Sequence, residues 1–244
     1  MTCTVTGARL ALMHHVAATL GLLLTANLTL SAVEPKADLE IVLAVDASSS
    51  VDIGEYALQL RGIAAAFRDR EVQNAIADGA EGRIAVQLLV WAQPGYAKLT
   101  TGWRMISSSD EAEAFAATVE ALPRRQFGGT GIGEGIEESL KEIAGNGIAA
   151  TRRIIDVSGD GRESGFAVAT RLPVARSLAR EQGVVINGLA ITDEDASLLT
   201  YFDEDLRVGP GSFVLEAKDY RDFADAMKVK LLREVSGAFP VASR

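Results

Sequence analysis

Continuous apolar runs alternate along this chain with stretches whose apolar residues recur every three or four positions. Ile41-Val42-Leu43-Ala44-Val45 is the clearest run, five residues of the kind a strand buried on both faces requires. Arg83 to Trp91, Arg152 to Ser158 and Val184 to Ile191 read as further strands, and Phe213 to Ala217 as a short last one. Between them the period changes. Ile53 to about Arg70 sets Tyr56, Leu60, Ile63 and Phe67 on one helical face, with Asp52 and Glu55 spaced as a capping box. Asp110 to Leu122 turns Phe115, Val119 and Leu122 inward, with Ser108 and Glu111 at its start. Ile132, Ile136, Leu140 and Ile143 form another stripe. A helix follows around Val168 to Glu181, starting there or near Pro173, and Asp219 to Val235 closes with Tyr220, Phe223, Met227 and Leu231 inward. Leu99 to Met105, after the Pro94-Gly95 break, suits an antiparallel edge strand. Alternating β and α elements predict an α/β fold, a doubly wound and mostly parallel sheet with helices on both faces.

The strand Ile41–Val45 runs directly into Asp46-Ala47-Ser48-Ser49-Ser50. Asp46, Ser48 and Ser50 place one carboxylate and two hydroxyls at alternate positions where an open α/β sheet binds its ligands, beyond the carboxyl ends of the strands. Oxygen donors of this kind suit a hard divalent cation. A lone D-x-S-x-S is as often a plain strand-to-helix connection. Two other segments change the balance: the loop Gly128-Gly129-Thr130-Gly131-Ile132-Gly133, and Ile154-Ile155-Asp156-Val157-Ser158-Gly159-Asp160-Gly161.

Together the three segments resemble the metal-ion-dependent adhesion site of von Willebrand factor type A (VWA) domains, in order and in approximate spacing. The resemblance covers roughly Leu39 to Val235. It implies a Rossmann-like VWA fold over residues 38–237 and a metal set of Asp46, Ser48, Ser50, Thr130 and Asp160. It also implies that the two serines touch the ion directly while the aspartates act largely through water, leaving the ion seeking an acidic group from a partner protein. Within the superfamily the phrases Ile155–Gly161 and Ile186-Asn187-Gly188-Leu189-Ala190-Ile191 resemble the bacterial exported single-domain group. The cation expected is magnesium, with manganese and calcium as alternatives.

Each member has a duller role beside it. Thr130 can be an N-cap for the helix that follows. Asp156 competes with Asp160 for the second acid. It lies inside its strand, where a bare carboxylate is costly, and can support the site from behind or pair with Arg152 or Arg153. Arg162, Glu163 and Ser164 read as ordinary loop surface, and Asp193, Glu194 and Asp195 as capping residues.

Composition narrows the chemistry further. The chain has 244 residues and a formal net charge of −9. Residues 1–32 hold one charged side chain, Arg9, so the remainder carries −10, which disfavours nucleic acid and anionic membranes as partners. Arg9, the apolar stretch Leu10–Leu30 and the small pair Ser31-Ala32 are patterned as a secretory signal peptide, which predicts cleavage of residues 1–32 on export to the periplasm or beyond, an uncleaved anchor being the alternative. Residues 238–244 read as a frayed tail. Cys3, His14 and His15 all lie in the first segment, so the remainder has neither cysteine nor histidine. That excludes Ser-His-Asp triads, Cys-His dyads and histidine-based zinc centres from it. No P-loop, G-x-G-x-x-G or G-x-S-x-G is present, and Asp46 begins no D-x-D. The expectation is a binding domain without catalysis. The alternative is a metal-assisted hydrolase with Asp46 or Asp160 as base.

Overall fold

The computed structural model describes residues 35–164 and 170–237. The signal-type segment, the tail and the start proposed at Val168 lie outside those residues. Seven strands form one sheet: β1 (Lys36–Asp46), β2 (Ile84–Trp91), β3 (Leu99–Thr100), β4 (Arg104–Ile106), β5 (Ala149–Gly159), β6 (Val185–Ile191) and β7 (Val214–Ala217). Their order is β3-β2-β1-β5-β6-β7, with β4 also on β2. The β2, β1, β5, β6 and β7 pairings are parallel, whereas β3 and β4 run antiparallel to β2. The expected edge strand is therefore two short pieces, broken at Gly102, whose φ of 68° suits a residue without Cβ.

Helices α1 (Ile53–Arg68), α2 (Arg70–Ala77), α3 (Ser109–Glu120) and α7 (Phe223–Ser236) belong to one layer; α4 (Ile132–Gly145), α5 (Leu172–Gln182) and α6 (Leu198–Tyr201) belong to the other. Alternation along β1 assigns the faces. Ile41, Leu43 and Val45 pack with Phe67, Phe115 and Phe223, while Val42 and Ala44 pack with Ile136, Leu140 and Ala175. Phe67 and Phe115 meet edge-to-face at 4.7 Å between centroids, fixing α1 on α3.

Local chemistry sets the helix ends. The Asp52–Glu55 capping box is formed, and Ser108 accepts from the Glu111 amide. The helix expected to run to Arg70 stops at Arg68, because Asp69 turns extended and caps α2 through the Glu71 amide. After α6, residues Phe202–Leu206 make a π-helical turn that buries Phe202 and Leu206 under β6. Among the described residues no helix is long and apolar enough to cross a membrane.

Strand order reverses between β1 and β5: the chain leaves β1 for β2 on one side and later fills β5 on the other. That switch point opens a crevice at the carboxyl edge, with Asp46 and Asp160 on its two sides.

Candidate metal centre

Asp46 ends β1 fully buried, and its backbone is fixed from both sides. The Ala47 amide donates to Trp91 O at 2.8 Å, and Gln59 Nε2 donates to Asp46 O at 3.1 Å. The Asp46 carboxylate then accepts the Ser48 amide on Oδ1 at 2.7 Å, a tight turn that swings the serines across the crevice. Ser48 Oγ lies 3.1 Å from Ser50 Oγ. Ser50 Oγ donates to Asp160 Oδ1 at 2.8 Å, and the Tyr220 hydroxyl donates to Asp160 Oδ2 at 2.9 Å. Residues 110 positions apart thus share one hydrogen-bonded chain.

Thr130 arrives on a separately anchored loop. Ser49 and Gly128 exchange two hydrogen bonds of 2.8 Å, and the Gly131 amide donates to Ala92 O at 3.0 Å. The Thr130 amide donates to Ser164 Oγ at 3.0 Å, and the Ser164 amide returns to Thr130 O at 2.8 Å. Its side chain stands against Gly161, where an added Cβ would come within 3.5 Å of Thr130 Oγ1. Gly128 has φ 98°, and any Cβ there would collide with Gln93, so this turn admits only glycine. Gly159 lets β5 approach Asp46 closely: a Cβ would sit 3.0 Å from Asp46 Oδ2.

Asp46 Oδ2 is buried without a hydrogen bond. Burial first, then the Asp160 charge, push the Asp46 carboxyl up to about 7; the Ser48 hydrogen bonds and Arg124 oppose this. Arg124 donates to the carbonyls of Ser48 and Val51, so it holds the loop without pairing a carboxylate. Neither Asp46 nor Asp160 has an ion-pair partner among the described residues. Burial also raises Tyr220 above the usual phenol range, helped by Asp160, which keeps it a donor. Among the described residues no three His, Cys, Asp or Glu side chains cluster, so any cation here would rest on hydroxyls and two carboxylates. An orphaned buried carboxylate oxygen, a second acid that disfavours its charge and adjacent hydroxyls are the donor set of a hard divalent ion.

Several secondary expectations need correction. Thr130 is no N-cap: Gly131 holds that position, without a side-chain bond. Glu163 is not loop surface, since its carboxylate accepts the amides of Gly133 at 3.0 Å and Leu172 at 2.8 Å, starting α4 and α5 together. Ser164 braces Thr130, and Arg162 pairs with Asp195 at 3.2 Å while lying over Tyr201. Asp195 accepts from the Ser197 amide at 2.9 Å, closing the turn before α6, whose N-cap is Ser197 without a side-chain bond.

Asp156 departs furthest from expectation. It points into the α7 layer and pairs with neither Arg152 nor Arg153; its Oδ1 lies 2.6 Å from Lys230 Nζ, close but off the angle of a hydrogen bond. Lys230 also holds Glu234 at 2.7 Å, and Asn187 Nδ2 donates to the same Glu234 oxygen at 2.7 Å. Burial and the Asp156 charge raise Glu234 to about 7. The arginines instead serve helix ends: Arg152 donates to the carbonyls of Glu234 and Val235, and Arg153 to that of Gln182.

Comparison with known proteins agrees with this geometry at the level of the fold. The vWF domain of the type V pili tip protein Mfa5 from Porphyromonas gingivalis superposes with a TM-score of 0.56 at 10% identity, covering 85% of this chain and 98% of that one. The pilus adhesin SpaC from Lactobacillus rhamnosus GG gives 0.54 at 16% identity, over 85% of this chain and 31% of that one. Proximal thread matrix protein 1 from the mussel byssus, in a structure with a zinc-occupied MIDAS motif, gives 0.51 at 14% identity, over 82% and 48%. The chain thus spans a third to a half of the length of SpaC and the byssus protein. No curated protein matches it. The sequence family described as "Protein of unknown function (DUF1194)" matches residues 36–239. The chain therefore belongs to the DUF1194 family, and its fold is that of a VWA domain.

Proposed function

We propose that this protein is an exported binding domain that holds a divalent cation on Ser48, Ser50 and Thr130, with Asp46 and Asp160 orienting them, and uses it to capture an acidic group of a partner protein. The observation that carries the reading is the Ser48–Ser50–Asp160 hydrogen-bonded chain beside the orphaned Asp46 carboxylate oxygen. Two buried carboxylates, unpaired by any cationic side chain among the described residues, form a site that a cation would complete. The adhesion proteins and the zinc-bound byssus protein that share the fold support the same reading. Magnesium is the expected ion, by the preference of hydroxyl and carboxylate donors.

Catalysis has less support. Residues 33–244 offer no histidine or cysteine, and Asp160 is already committed on both oxygens, to Ser50 and Tyr220, so it is poorly placed as a base. The test is a pull-down from the native envelope fraction with magnesium or with chelator, using wild type and the Asp46→Ala, Ser48→Ala and Thr130→Ala variants. Partner capture should require the ion and be lost in all three. Capture indifferent to both chelator and substitution would overturn the reading, as would metal-dependent ester turnover abolished by Asp160→Ala.

A further inference from the structure

The opposite edge of the sheet carries a second feature, unconnected with the cation site. A cavity of about 430 Å³ opens at the amino ends of β5 and β6, beside the last turn of α7. Arg153 and Asp160 lie seven residues apart on and just past one extended strand, so the cavity is roughly 20 Å from the crevice. Its size falls in the range of small-molecule sites.

Three arginines line it, Arg152, Arg153 and Arg233. In a chain of net negative charge, arginines near acids normally pair with them. None of these three makes an ion pair among the described residues. Each is nevertheless held in place. Arg152 is fixed by the carbonyls ending α7, Arg153 by the carbonyl of Gln182, and Arg233 by stacking over the Phe213 ring at 3.7 Å. Capping engages only a few of the five N–H groups that each guanidinium carries, so donors remain on rigidly held cations. The one carboxylate in the lining, Glu234, accepts Lys230 and Asn187 on Oε1 at 2.7 Å each, and its Oε2 is buried without a partner. Ile148, Val185 and Phe213 supply apolar wall.

Unpaired, positioned guanidiniums around an apolar hollow match one chemistry. We propose that this cavity binds an organic anion, a carboxylate or phosphate head on an apolar body. The arginines take the head, and the aliphatic and aromatic walls take the body.

The experiment compares two fluorescent probes on the purified full chain in EDTA, which silences the cation site. 8-Anilinonaphthalene-1-sulfonate carries an anionic head; N-phenyl-1-naphthylamine has the same rings and none. The sulfonate should bind at least about tenfold more tightly, the factor one charge-assisted hydrogen bond implies. Arg153→Gln and Arg233→Gln should each weaken it by about that factor. Decanoate and monodecyl phosphate should displace it, and the stronger competitor identifies the head. Equal binding of the two probes would overturn the proposal, as would affinity unchanged in both variants or failure of both competitors. If a variant does not fold, the comparison of probes on the wild type still decides.

Discussion

Asp46 makes a prediction whose magnitude the structure supplies. Its carboxyl is raised from 3.8 to about 7 by burial and by the charge of Asp160. At 1.36 kcal/mol per pH unit, that interval is worth on the order of 4 kcal/mol. The sign follows from proton uptake. Below about 3.8 both folded and unfolded chains hold the proton, so Asp46 adds no pH dependence. As pH climbs, the unfolded chain ionises first and gains free energy that the folded chain cannot match until about 7. Stability without metal therefore falls between those limits and levels off above them. Asp46→Asn keeps an acceptor for the Ser48 amide and removes the titration. Its new Nδ2 lacks a partner, but that penalty is the same at every pH.

Urea unfolding in EDTA at steps from pH 4 to 8 measures the difference directly. Shifted carboxyls remote from Asp46, such as Glu40 and Glu234, contribute equally to both proteins, so they cancel. The wild type should lose on the order of 4 kcal/mol more than Asp46→Asn across the range. Excess magnesium at pH 8 should then restore the wild type, by about 2.7 kcal/mol at a hundred times the dissociation constant, and should do less towards pH 5, where protons compete for the same carboxylate. The variant should respond weakly. Parallel profiles for the two proteins would refute the reasoning, because they would mean that Asp46 is not held neutral by its surroundings.

Lys230→Met should cost about 3–5 kcal/mol in urea unfolding, since it leaves Asp156 and Glu234 buried without their cation; Asp156→Leu in the same chain should recover part of that loss. Tyr220→Phe removes a hydrogen bond to a carboxylate and should cost about 1–3 kcal/mol in the same assay, with a smaller magnesium response. Intact-mass analysis of protein recovered from the native envelope should show loss of about the first thirty residues, as signal-peptide patterning implies; retention of Met1 to Ala32 in soluble cytoplasmic material would refute export.

The parallel strands were legible because a strand covered on both faces must be apolar throughout, and few other elements tolerate Ile41–Val45 or Ile154–Val157 broken by so little polarity. The caps were legible for a similar reason: Asp52 with Glu55 and Ser108 with Glu111 satisfy amides within one turn, so the pattern is local. Helix α2 was not. Only Val72 and Ile76 of its eight residues are buried, too few to show a period, and its onset depends on Asp69 being extended. The π-helical turn after α6 likewise leaves no period to read. At the candidate site, Asp46, Ser48 and Ser50 could be grouped by adjacency. The convergence of Asp160 and the Thr130 loop upon them needed the resemblance, because sheet order is not written in any one segment.

What escaped the sequence has a common location. Tyr220 precedes α7, Lys230 and Glu234 lie on it, and Arg152 caps its end. Helical periodicity correctly turned Phe223, Met227 and Leu231 inward, whereas Tyr220, read as part of a helix from Asp219, is buried from the turn before α7, which begins only at Phe223. Periodicity also reports the direction of a side chain, not the partner of its polar tip. Lys230 and Glu234, four residues apart, have the spacing of an ordinary surface ion pair. Here the pair is buried because β5 and β6 present Asp156 and Asn187 at adjacent register positions on the same face. A strand-interior aspartate therefore signals a cationic group on the helix that covers it. In a doubly wound sheet that helix can be the last one in the chain, 74 residues away in this case. Asp156 was the one residue in the sequence that pointed to this network, through the cost of its own burial.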